Sequence, residues 1–88
     1  MRAPKSQKWS KAVLVEIEFE EEFAVLQIDN TREAAECLME LWPTLDGVAF
    51  HRALVVCATS LEGGADDRGA REAFRAAAEE ADILVPIH

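Results

Sequence analysis

The stretch Val13-Leu14-Val15-Glu16-Ile17-Glu18-Phe19-Glu20-Glu21-Glu22-Phe23-Ala24-Val25-Leu26-Gln27-Ile28 decides the fold. Up to Phe19, apolar and acidic residues settle into a period of two, which sets Val15, Ile17 and Phe19 on one face of a strand and the acids on the other. Phe23 to Ile28 is a second apolar run, and the acidic link before it is short enough for an antiparallel hairpin. With Glu21 and Glu22 at the tip, Phe19 pairs with Ala24, Ile17 with Leu26 and Val15 with Ile28, which keeps one face apolar throughout. The same register turns Phe23 and Val25 outward, beside Glu20 and Glu18. Neither tip residue is Gly or Asn, the residues that favour two-residue hairpin turns.

Beyond the hairpin the period changes. Asp29-Asn30-Thr31 offers oxygens that start a helix, and Asn30 with Glu33 has the spacing of a capping box. Ala34, Cys37, Leu38, Leu41 and Trp42 then recur at three and four, and Pro43 ends the run. A second helix spans Val48 to Leu61 with Phe50, Leu54, Cys57, Ala58 and Leu61 as its main stripe. Ala53, Val55 and Val56 make it apolar nearly all round, as befits a central helix, and Gly63-Gly64 stops it. Asp66 or Asp67 caps a third helix to about Ala81, with Ala70, Ala73, Phe74, Ala77 and Ala81 inward and Asp67–Arg71 and Arg68–Glu72 spaced for ion pairs. The segment Ile83-Leu84-Val85-Pro86-Ile87 reads as a short strand, and Pro86, having no N–H, puts it at a sheet edge beside either earlier strand. The order is ββαααβ: a single small α+β domain in which an antiparallel β-hairpin and a short C-terminal strand pack on three helices.

The chain has 88 residues, and its 9.7 kDa suits one domain with a small core. By size scaling, folding hides only roughly 64% of the unfolded surface. Nine Lys and Arg face seventeen Asp and Glu, a net charge of −8. Arg2, Lys5, Lys8 and Lys11 all fall in residues 1–11, which read as a flexible basic tail, so the domain over residues 12–88 carries five bases against all seventeen acids, or −12. Such a body repels phosphate backbones and argues against nucleic-acid binding. The short Ala12–Val15 run makes no signal peptide and no run approaches a membrane span, so the chain is read as cytoplasmic, its two cysteines unbridged.

The order of landmarks carries a resemblance. Trp9 precedes the hairpin, Thr31-Arg32-Glu33-Ala34-Ala35 opens a helix closing on Leu41-Trp42-Pro43, and Ala53, Cys57, Leu61 and Glu62-Gly63 mark the next helix. Ala70-Arg71-Glu72-Ala73-Phe74 then leads to Ala76-Ala77 and Ile83. This succession resembles the small bacterial proteins grouped as domain of unknown function 982, over roughly residues 9 to 85. The resemblance implies a stand-alone α+β domain and lends no catalytic residues. The Glu21-Glu22 tip departs from it where a Gly-containing turn is expected.

The reactive residues form no signature. Cys37 and Cys57 lie on inward stripes and read as small hydrophobes, and no Cys-x-x-Cys or four-ligand zinc pattern is present. His51 stands about 240° round its helix from Cys57, which excludes a dyad within that helix and leaves one between Cys37 and His51 geometrically open. Glu16, Glu18 and Glu20 are spaced nearly 7 Å apart along a strand, too far for one cation to gather. No catalytic, metal or cofactor residue is therefore assigned. The leading reading is a non-enzymatic protein-interaction or regulatory module, self-associating or with a protein partner, with Trp9, Glu18, Glu20, Phe23 and Val25 as its surface and Trp42 in the core. The N-terminal segment around Trp9 folding over Phe23 is the competing arrangement. The alternative function is a small-ligand or low-activity enzyme domain with a groove near Cys37, Cys57 and His51. A third reading, an acidic decoy for a basic partner, rests on the −12 body alone.

Overall fold

A computed structural model describes residues 8–63 and 67–86. Arg2, Lys5, Gly64, Asp66 and Ile87 lie outside the described residues. The elements are β1 (Lys8–Phe19), β2 (Glu22–Asn30), α1 (Thr31–Glu40), α2 (Val48–Leu61), α3 (Asp67–Glu80) and β3 (Leu84–Val85). The order is ββαααβ and the class α+β, as the sequence indicates. The sheet is ordered β2-β1-β3 and antiparallel throughout, which settles the partner of the last strand: Leu14 pairs with Val85 and Val15 with Leu84. Pro86 sits just past this edge strand, where no ladder donor is required.

The hairpin turns one residue earlier than expected, on Glu20-Glu21 rather than Glu21-Glu22. Both turn residues have positive φ, 53° and 71°, the pairing of a type I′ turn, whose twist matches that of the flanking strands. The register moves by two residues, so Phe19 pairs with Glu22, Ile17 with Ala24, Val15 with Leu26 and Val13 with Ile28. An even shift preserves the faces. Phe23 and Val25 still point outward, but their neighbours are Glu18 and Glu16, not Glu20 and Glu18. The residue that gains is Val13, buried with Ile28 under the helices; Phe19 extends past them and is 60% exposed.

The tail boundary also moves. β1 begins at Lys8, so Lys8 to Lys11 belong to the folded domain, and β1 accommodates them with a bulge between Lys8 and Val13. The Lys11 carbonyl in that bulge accepts from Arg71 Nε at 2.7 Å. Arg71 thereby forgoes the expected pair with Asp67, and its Nη1 reaches Glu72 instead at 3.0 Å. Asp67 Oδ1 accepts the Thr31 hydroxyl at 2.6 Å, and Thr31 Oγ1 in turn accepts Trp9 Nε1–H at 3.1 Å. One polar chain, buried at its Trp9–Thr31 end, thus ties the starts of β1, α1 and α3. A tryptophan held in this way is part of the core, and Trp9 packs on Phe74 with ring centroids 6.0 Å apart. It covers neither Phe23 nor any part of the outer face.

Phe74 is the centre of the core, fully buried, with Trp42 on its other side at 5.4 Å. α1 starts as the sequence predicts: Asn30 Oδ1 accepts from Glu33 N at 2.8 Å, while Glu33 Oε1 accepts from Asp29 N at 2.9 Å. α2 has no side-chain cap of its own. Glu80, at the end of α3, supplies one, its two carboxylate oxygens accepting from Ala49 N and Phe50 N at 3.0 and 3.1 Å. Gly47 permits this approach, because a Cβ there would run into the Glu80 carboxylate and its φ of 138° is open to glycine alone. α2 contacts both α1 and α3, yet its buried stripe is Phe50, Ala53 and Cys57, with Leu54 only half-buried and Ala58 and Leu61 exposed. The expected Leu54 stripe is therefore rotated, because α2 packs sideways between two helices and leaves Val48 and Val55 in solvent.

Candidate interaction surface

The sheet has two unlike faces. Val13, Val15, Ile17 and Ile28 point to the helices and are buried. Leu14, Glu16 and Glu18 of β1 and Phe23, Val25 and Gln27 of β2 point the other way, where no element of the described residues packs. Phe23 is 65% exposed and Val25 56%. Glu18 stands directly across from Phe23 and Glu16 from Val25, so the surface is an apolar pair flanked by carboxylates. Of the residues proposed from sequence, Phe23, Val25 and Glu18 come together here. Glu20 lies in the turn beyond them, and Trp9 is in the core. Trp42 is buried as expected, stacked on Phe50 at 6.2 Å.

The groove suggested around Cys37, Cys57 and His51 does not assemble. An open groove of about 290 Å³ runs between β2 and α1, with Leu26, Ile28, Cys37 and Leu41 below and Glu36 and Glu40 along its rim. Cys57 and His51 take no part in it. Cys57 is fully buried, and His51 is exposed on α2 with its ring edge-on to Phe50 at 5.3 Å. Burial pushes both thiols up to about 11, so neither is a nucleophilic thiolate near neutrality. Among the described residues no three His, Cys, Asp or Glu side chains gather as metal ligands.

A larger open groove, about 600 Å³, lies between α2 and α3 over Ala49, Val56, Gly69, Ala73 and Ala76, with Arg52 and Glu72 beside it. Sequence reasoning missed it. The alanines that signal close helix approach also leave a shallow floor between the two helices, and spacing along either helix alone does not separate the two outcomes.

These features define a class: a small α+β domain whose three-stranded antiparallel sheet carries helices on one face and, among the described residues, nothing on the other. Within it the chain belongs to the family described as protein of unknown function (DUF982), whose model matches residues 14–85. The NMR structure of Agrobacterium tumefaciens protein Atu1219 is similar, with 29% sequence identity over 99% of this chain and 89% of that one and a TM-score of 0.70. No curated protein matches the chain significantly. No helix among the described residues is long and apolar enough to cross a membrane.

Proposed function

We propose that this domain is a non-enzymatic protein-interaction module whose contact surface is the bare face of the hairpin. The observation that carries the reading is the exposed pair Phe23 and Val25, side by side on a sheet face that no helix of the described residues covers. Covering such apolar surface is favourable in proportion to its area, and large aromatic side chains are the usual anchors of protein contacts. The deep burial of both cysteines supports a structural role for them rather than a catalytic one. Two unbridged thiols are in keeping with a reducing compartment, and we assign the domain to the cytoplasm.

The simplest occupant of the surface is a second copy. Glu16 and Glu18 oppose direct stacking of two identical faces, so the copies would be offset, bringing Lys8 and Lys11 of one onto the carboxylates of the other. Salt would weaken that arrangement. Sedimentation equilibrium at high micromolar concentration tests it. The expected result is a wild-type mass near twice the 9.7 kDa of one chain, returning to the single-chain value in Phe23→Ser. A single-chain mass for the wild type removes the second copy as the occupant.

A further inference from the structure

Glu16 donates its backbone N–H to the Ile83 carbonyl at 2.8 Å, on the β3 side of β1. Residues along an antiparallel strand bond alternately to one neighbour and the other. Glu16 therefore faces away from β2, and its cross-strand partner Val25 turns its own N–H and C=O away from β1. Phe23 and Gln27, two residues to either side, do the same. Asp29 continues the alternation: its N–H also leaves the sheet and is taken by Glu33 Oε1. β2 is the end strand, so Phe23, Val25 and Gln27 present backbone donors and acceptors with no strand of the described residues beside them.

Edge strands are commonly guarded by a lysine, a proline or a bulge. From Phe23 to Ile28 this edge has no charge, proline or glycine, and the bulge of the hairpin lies on β1. Directly beneath the edge is the β2–α1 groove, apolar at Leu26, Ile28 and Cys37 and acidic at Glu36 and Glu40. A strand laid along β2 would send alternate side chains into this groove and onto the bare face.

We propose that the free edge of β2 binds an extended segment of another protein in which basic and apolar residues alternate, the basic ones in the groove against Glu36 and Glu40 and the apolar ones beside Phe23 and Val25. Lysine and arginine suit the groove because their aliphatic stems lie along its apolar floor while their heads reach the carboxylates. The exposed contact of Glu36 with Arg32, at 3.9 Å, is weak enough to be exchanged. A second copy fits this edge poorly. Antiparallel pairing of two identical edges has its dyad perpendicular to the sheet, so both α1 helices fall on one side with their carboxylate rows opposed. The proposal rests on the interaction-module reading and adds to it the chemistry of the partner.

The test adds a capped hexapeptide of alternating valine and lysine, or its glutamate counterpart, to the isotopically labelled protein and follows the backbone amide resonances. The expected result is movement of the Phe23, Val25 and Gln27 amides with the lysine peptide and none with the glutamate peptide. Val25→Pro removes a donor that faces away from β1, which an edge strand tolerates, and should abolish binding while the remaining amides keep their dispersion. Glu36→Lys with Glu40→Lys leaves the edge intact and should weaken binding about tenfold. Equal response to both peptides, no response, or movement confined to Glu16 and Glu18 would overturn the proposal. So would a wild-type dimer that Gln27→Pro dissociates, since Gln27 presents an edge N–H but lies outside the Phe23–Val25 pair, and a second copy would then hold the edge. If no peptide binds but Phe23→Ser still halves the sedimenting mass, the edge proposal falls and the interaction module stands.

Discussion

The two ends of one hairpin obey the same alternation and meet opposite fates. Near the helices, Val13 and Val15 of β1 and Ile28 of β2 are buried. Toward the tip, Phe19 occupies the same face of the same strand and stands open, and Ala24 of β2 is exposed as well. A period of two tells which residues share a face. How far that face is covered depends on where α1 and α3 run out, and no local pattern encodes it. The consequence is a tightly packed base and an extended tip in one element, consistent with the elongated 43 × 26 × 25 Å envelope.

That contrast breaks most easily at Phe74. Phe74→Ala should cost about 3–5 kcal/mol, close to the whole stability of a small domain, whereas Phe19→Ala should stay within about 0.5 kcal/mol. Denaturant midpoints of the two variants decide it, and equal losses would mean that the tip is packed after all. Thr31→Val comes next. It removes the hydroxyl that links Trp9 to Asp67 and strands the buried Trp9 Nε1–H, while Asp67 keeps Ser60, at about 1–3 kcal/mol, measured in the same way.

The thiols of the base give a pH test that the tip cannot produce. Their raised pKa means that the unfolded chain loses these protons first, near pH 9, and the folded core only near pH 11. The stability they contribute is complete below pH 9 and disappears as the pH rises to 11. The thermal midpoint should fall across that window, more steeply than in Cys37→Ala with Cys57→Ala, and alkylation of the native protein at pH 8 should be slow. The smallest effect is a gain at the tip. Glu20→Asn with Glu21→Gly supplies residues suited to positive φ and should stabilise the fold by about 1 kcal/mol; an unchanged midpoint would show that the two glutamates bear no strain there.

The same division marks what was legible in the sequence. Element order, the Asn30 cap, the outward aim of Phe23 and Val25, the burial of both cysteines and the edge position of the last strand follow from spacing and side-chain chemistry within a few residues. The turn at Glu20-Glu21 does not, since neither residue advertises positive φ. The burial of Trp9 is not legible locally because its anchor, Thr31, is 22 residues away and Asp67 a further 36. The orientation of Leu54 is not legible either, because an all-apolar helix gives no preferred face until its neighbours are known. Of the candidate surface, the outer pair was readable. The β2–α1 groove beneath it was not, because it exists only between a strand edge and the flank of a helix.

The position of β1 bears on the order in which the molecule can be made. Its first neighbour, β2, follows immediately, but its second, β3, joins through Leu84 and Val85, after all three helices. On a ribosome, where the chain emerges from its N-terminal end at about 5–20 residues per second, the hairpin is complete while the far side of β1 still lacks its strand. For several seconds on this timescale β1 is itself an open edge of the nascent sheet, a place that β3 takes in the finished one. Glu16 and Glu18, placed on that β1 segment, give the waiting edge charges that β2 lacks between Phe23 and Ile28.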